Sequence, residues 1–199
     1  MSLGLAGPAA AVTFDFGAGS NTENTIALNA GGIDLTVRGF TGFSDPVFTS
    51  TGVLGTAANI NRNNAGNGWG VNGGGGGGLV GVGDALNLDF SPTSIVLLSA
   101  LVFELDGEPD QFTIYNDQTA IGSINLPADP GADTFTLTDL GSLLSGSVVG
   151  SNFTIATNSG AIRLQSLTVT PVPLPPAALL LAAAFLGLFA VRKAAGSRA

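Results

Sequence analysis

The dominant rhythm of this chain is an alternation of apolar and polar positions. Val12, Phe14 and Phe16 alternate with Thr13 and Asp15, Ile33, Leu35 and Val37 with Asp34, Thr36 and Arg38, and Leu86, Leu88 and Phe90 with Asn87 and Asp89. A period of two sends successive side chains to opposite faces, so each run predicts a strand buried on one face. The rhythm returns at Phe112 and Ile114, at Phe135 and Leu137 between Thr134, Thr136 and Thr138, and at Phe153 and Ile155. Ser94 to Leu105 opens with the unbroken run Ile95, Val96, Leu97, Leu98, which predicts a long central strand covered on both faces. The last run changes phase: Ile162 and Leu164 are even, Leu167 and Val169 odd. A bulge at Gln165-Ser166 would return all four to one face.

Residues that accept turn geometry separate these runs at Ala30-Gly31-Gly32, Asp106-Gly107-Glu108-Pro109, Asn116-Asp117 and Pro127 to Gly131. The helical candidate in the body is short, from Asp139 to Leu144. About nine or ten strands at this spacing predict an all-β fold, an antiparallel β-sandwich that is jelly-roll-like rather than immunoglobulin-like, over residues 12–170. Residues 59–84 hold eleven glycines in twenty-six positions. Ordering such a stretch loses much backbone entropy, so a surface loop without regular structure is expected there. A phosphate cradle would need a helix and a Lys after the glycines, and neither follows.

Composition narrows the chemistry. With 45% hydrophobic and 10% charged residues the chain can bury a core and is not disordered. It has no Cys and no His, which excludes disulfides, zinc sites built on those residues, a haem His and Ser-His-Asp or Cys-His nucleophiles. Its one lysine is Lys193, so a Ser-Lys dyad in the body is excluded too. Hydrolysis would have to use a carboxylate pair, as glycoside hydrolases do, but no two acidic residues are marked as buried and facing, and no enzyme activity is expected. All 14 acidic residues lie between Asp15 and Asp139, and the segment Val12 to Thr170 carries a net charge of −11. Such a body repels phosphate backbones, which excludes a nucleic-acid partner.

Two groups remain as candidate sites. Glu104, Asp106, Glu108 and Asp110 alternate around a tight turn, and clustered carboxylates suit Ca²⁺, with Asp84 or Asp117 as further ligands. The spacing is not that of an EF-hand, and a solvated acidic hairpin tip is the favoured reading, leaving no cofactor assigned. Trp69 and Tyr115 could stack against a sugar ring. For a lone Trp among glycines, a plug over the edge of the sandwich is favoured.

The two ends address the chain. Ala177 to Val191 is a run of fifteen residues without a polar side chain, preceded by Val172-Pro173-Leu174-Pro175-Pro176 and followed by Arg192 and Lys193, with Arg198 beyond. As a helix, Leu174 to Val191 would be roughly 27 Å long, enough to span a bilayer core of about 30 Å. The basic residues place the C-terminus in the cytoplasm and the acidic body outside. At the other end, Ala9 and Ala11 form a small-x-small cleavage site before Val12, making residues 1–11 the remnant of a secretory signal. A signal needs a basic segment and an apolar one, so the true translation start is expected upstream.

The Val172-Pro173-Leu174-Pro175 motif, the Ala/Leu helix and the Arg192-Lys193 pair, in this order, resemble the PEP-CTERM sorting signal in its VPLPA variant, although Pro176 stands where that variant usually has Ala. The resemblance covers residues 171–199. It implies export by the Sec machinery, transient anchoring in the inner membrane, and recognition by an exosortase that cuts near the proline motif and delivers the body to the cell surface or extracellular matrix. The body is also similar to other exosortase-sorted surface proteins at Gly68-Trp69-Gly70-Val71, Asp84-Ala85-Leu86 and Asp110-Gln111-Phe112-Thr113-Ile114-Tyr115. The expected function is a structural or adhesive role in exopolysaccharide or biofilm. A carbohydrate-binding module in the exopolysaccharide is the alternative, and a carboxylate-pair glycoside hydrolase a remote one.

Overall fold

The computed structural model describes residues 9–17, 19, 23–42, 55–62, 68–72, 78–90, 94–105, 109–127 and 134–173. Within them the chain forms β1 (Val12–Asp15), β2 (Thr25–Ala30), β3 (Ile33–Thr41), β4 (Thr56–Arg62), β5 (Trp69–Asn72), β6 (Val80–Gly81) and β7 (Asp84–Phe90). There follow β8 (Val96–Leu105), β9 (Asp110–Asn116), β10 (Thr119–Leu126), β11 (Thr134–Thr138), one helical turn α1 (Leu140–Leu143), β12 (Val149–Gly150), β13 (Asn152–Ser159) and β14 (Ala161–Pro171). The fold is all-β, and the strands pair antiparallel. The two-residue turn Gly31-Gly32 joins β2 to β3, with both glycines at positive φ as a tight hairpin of this twist requires.

Pairing runs unbroken in the order β10-β9-β13-β7-β3-β4-β5-β14-β8-β11. Four more strands lie off this path because the long strands share a flank between successive short ones. One side of β14 is taken wholly by β8, while the other meets β6 at Ala161 and Ile162, β5 at Leu164 and β1 from Ser166 to Val169. The predicted bulge falls at the junction of β5 with β1. The register with β8 jumps between Leu164 and Ser166, and the freed Gln165 carbonyl accepts the Phe16 N–H at 2.8 Å. Ile162, Leu164, Leu167 and Val169 are all buried as a result. A second shift, between Thr168 and Val169, has no counterpart in the pattern.

The path curls so that its two arms face each other over one core. Phe103 on β8 meets Phe112 on β9 with ring centroids 4.8 Å apart, and Phe14 on β1 meets Phe90 on β7 at 6.1 Å. β4 is the hinge of the curl, pairing β3 on one side and β5 on the other. Two expectations need correction here. The described parts of the glycine-rich segment are strands: Trp69 on β5 is buried, and Gly70 lies so close to the Gly78 carbonyl that a Cβ would collide with it. Glycine is there for close approach of two backbones rather than for looseness. The second correction concerns β7, which is covered on both faces, so that Asp84, Ala85 and Asn87 are as buried as Leu86 and Leu88. Single-strand alternation cannot register a cover supplied from elsewhere in the fold.

Candidate functional site

Three buried carboxylates, Asp84, Glu104 and Asp110, are each bonded to β14 or to its partner β6 near the end of the sheet where β14 begins. Ala161 on β14 and Gly81 on β6 are register partners, and each backbone N–H in that pair is held by an acid. Asp110 Oδ1 accepts the Ala161 N–H at 2.7 Å, and Asp84 Oδ2 accepts the Gly81 N–H at 3.2 Å. Two residues along, Glu104 stands opposite Arg163 across the β8–β14 ladder, with Oε2 and Nη1 3.2 Å apart. Of the acids expected around calcium, Glu104 and Asp110 thus engage the protein itself, and Asp106 and Glu108 lie outside the described residues. The solvated tip is corrected for the first two, which are buried because they satisfy backbone and guanidinium donors. Among the described residues no group of three or more potential metal ligands is found.

Burial pushes the Asp84 carboxyl above its ordinary value of 3.8, against the opposing pull of the Thr41 hydroxyl and the Gly81 N–H. An acid whose folded pKa is raised holds its proton more tightly in the folded state. Its contribution to stability is therefore complete below about pH 3.8 and declines as the pH rises through the folded value. Asp84→Asn removes this term while keeping an oxygen for the Gly81 amide. Thermal melts of both proteins at pH 4 and pH 7 should show the variant gaining on the wild type at the higher pH. A difference in Tm that stays constant between the two would refute the assignment.

On the face of β7 opposite the Phe-rich core, a polar lattice runs across the strands. Arg38 Nη1 donates to Asp89 at 2.8 Å, and Asn87 Nδ2 donates to Asn152 Oδ1 at 2.7 Å and Thr154 Oγ1 at 3.0 Å. Thr113 and Ser123 share a 2.7 Å hydroxyl bond, and Asn158 and Gln111 Nδ2 and Nε2 groups extend the lattice to β10. Tyr115 packs with Ala85 and Ala156 on this same side and is 2% exposed. Trp69, at 1%, lies against Phe16 at 4.8 Å under the Arg62 guanidinium and donates from Nε1 to the Gly17 carbonyl. Neither ring presents an open face of the kind a stacked sugar needs.

The opposite end of the sheet is where the chain enters and leaves. β1 starts at Val12, directly after Ala11, and pairs with the last residues of β14 in the register Val12 to Val169. β14 stops at Pro171, and the Val172 N–H makes a last bond to the Ile95 carbonyl at 2.9 Å. Val172 and Pro173 are exposed, while Leu174, Pro175, Pro176, Arg192, Lys193 and Arg198 lie outside the described residues. Among the described residues no helix is long and apolar enough to cross a membrane. A cleft of about 550 Å³ opens at this end, lined among others by Ile95, Asn116, Asp117, Ile121 and Val149. The unbroken run Ile95 to Leu98 predicts Ile95 to be covered, yet it is 43% exposed, because the strand begins one residue later. No protein-family model matches the chain, and comparison with curated proteins finds no match.

Proposed function

We propose that this chain is an exported bacterial surface or extracellular-matrix protein, sorted by an exosortase-type system, with a structural or adhesive role in exopolysaccharide or biofilm. In this reading the body is a jelly-roll-like sandwich joined along β4, and a single C-terminal helix holds it in the inner membrane until the proline motif is cut. The observation that carries the reading is the order of Val172-Pro173-Leu174-Pro175, the apolar run Ala177 to Val191 and Arg192-Lys193. It is supported by the exposure of Val172 and Pro173 just beyond the last strand, where the chain leaves the sheet within reach of a membrane-embedded protease. The structural role is favoured over sugar binding because Trp69 and Tyr115 are both covered. It is favoured over hydrolysis because Asp84 and Asp110 are bonded to backbone amides and Glu104 to Arg163.

Replacing Pro173 and Pro175 with Ala tests the reading in a host that carries the sorting enzyme. Membrane insertion should survive, since the apolar run is untouched and alanine extends a helix. Release of the body should stop. Fractionation of a tagged protein is expected to find the wild type at the surface or in the medium and the double variant in the inner membrane; equal release of both would reduce the tail to an ordinary anchor.

A further inference from the structure

Five large apolar side chains are exposed among the described residues: Val82, Ile95, Leu143, Val149 and Val172. Their placement along the sheet is uneven. Val172 is bonded through its backbone to Ile95, Ile95 and Val149 line one cleft, and β12, which carries Val149, pairs with the first residues of β8. These three therefore sit together where the chain leaves β14. Val82 follows β6, whose partners on β14 are Ala161 and Ile162, at the far end of an eleven-residue strand. At about 3.3 Å per residue that strand separates the two ends by roughly 35 Å.

The chain beyond Val172 fixes what this end can face. Only Pro173, Leu174, Pro175 and Pro176 separate it from the apolar run that begins at Ala177. In the extended conformation that prolines favour, four residues reach about 12 Å. The headgroup layer itself takes up about 5–8 Å on each side of the hydrocarbon. A body tethered this closely has its exit end against the lipid headgroups, and that end is the one that exposes Ile95 and Val149. Apolar side chains beside polar Asn116 and Thr119 suit an interface that is part hydrocarbon and part water. Asp117, the charged residue lining the same cleft, opposes an anionic surface.

From this we infer that, before release, the end of the sheet formed by Ile95, Val149 and Val172 docks on the lipid surface and holds β14 upright, with the Val82 end pointing away from the membrane. The inference rests on the membrane-tail reading above and adds the orientation of the body and the residues that make contact. The absence of native Cys allows single-site labelling. The full chain carrying Ile95→Cys, Val149→Cys, Val82→Cys or Leu181→Cys is labelled with an environment-sensitive fluorophore and reconstituted in phosphatidylcholine vesicles containing a headgroup-level quencher. The labels at Ile95 and Val149 should be quenched severalfold more than the label at Val82, and the label at Leu181 should show the blue-shifted emission of hydrocarbon. Equal quenching at Ile95, Val149 and Val82 with Leu181 in hydrocarbon would overturn the docking but leave the tail intact. Water-like emission at Leu181 would overturn the tail and the docking together. A response at Ile95 and Val149 that requires the sorting enzyme in the vesicles would overturn the lipid assignment in favour of a protein contact.

Discussion

Trp69→Ala should cost about 3–5 kcal/mol, the range for emptying a buried large aromatic site. The position explains why the upper part of that range is expected. β5 has four residues and meets β14 at a single register position, Leu164 opposite Trp69, so its hold on that arm of the sheet depends on the indole rather than on a long ladder. The ring fills the space beside Phe16, lies under Arg62 and gives its N–H to the Gly17 carbonyl at 2.8 Å, tying the segment just after β1 to β4 and β5 at the hinge of the curl. Trp69→Phe keeps most of the packing and loses the indole hydrogen bond, for which about 1 kcal/mol is expected. Chemical denaturation followed by circular dichroism separates the two variants, and an alanine variant no less stable than the phenylalanine one would show that the hinge does not rely on this side chain.

Glu104→Ala is expected to be as damaging, by a different route. The Arg163 and Glu104 side chains are only 19% and 6% exposed, and Arg163 Nε has no hydrogen-bond partner, so the contact to Glu104 carries the guanidinium's compensation for burial. Removing one member of a buried pair leaves the other charge desolvated, which costs about 3–5 kcal/mol. In a domain of this size each kcal/mol lowers Tm by about 2–4 °C, so a fall on the order of 10 °C is expected. Replacing both residues, as Glu104→Leu with Arg163→Met, should recover most of the loss, because the desolvated charges vanish together. A double variant as unstable as the single one would place the effect in packing of the β8–β14 ladder instead of in charge.

Much of the sheet was legible in the sequence because strand periodicity survives wherever one face is core. Phe14, Leu35, Val37, Leu88, Phe112 and Ile155 are all buried on the faces their alternation predicts, and the change of phase between Leu164 and Leu167 located the bulge. Short strands escaped notice for a physical reason. β6 and β12 have two residues each, too few for a period to repeat, and in β5 Gly70 blanks the alternation; all three fill flanks of β14 and β8 that other strands leave open. Glycine content misled in the same region, since loss of backbone entropy argued for a loop while close approach of Gly70 to Gly78 required residues without a Cβ. The acids illustrate a further limit. Nothing local to Asp110 shows that the backbone N–H of Ala161, 51 residues on, awaits it, whereas Asp84 takes the N–H of Gly81 only 3 residues before it.

The pairing of β14 with β1, β5, β6 and β8 also dictates when the molecule can become whole. β14 is the last strand of the body, and its partners are drawn from the first residues, the middle and the long strand at Val96–Leu105. A chain that emerges with its N-terminus leading must therefore keep β1 waiting until some 150 further residues have appeared, because Val12 has its register partner at Val169. Contacts of such separation close slowly and late. Completion of the sheet is thus timed to the arrival of the last strand, just ahead of the Val172-Pro173 exit.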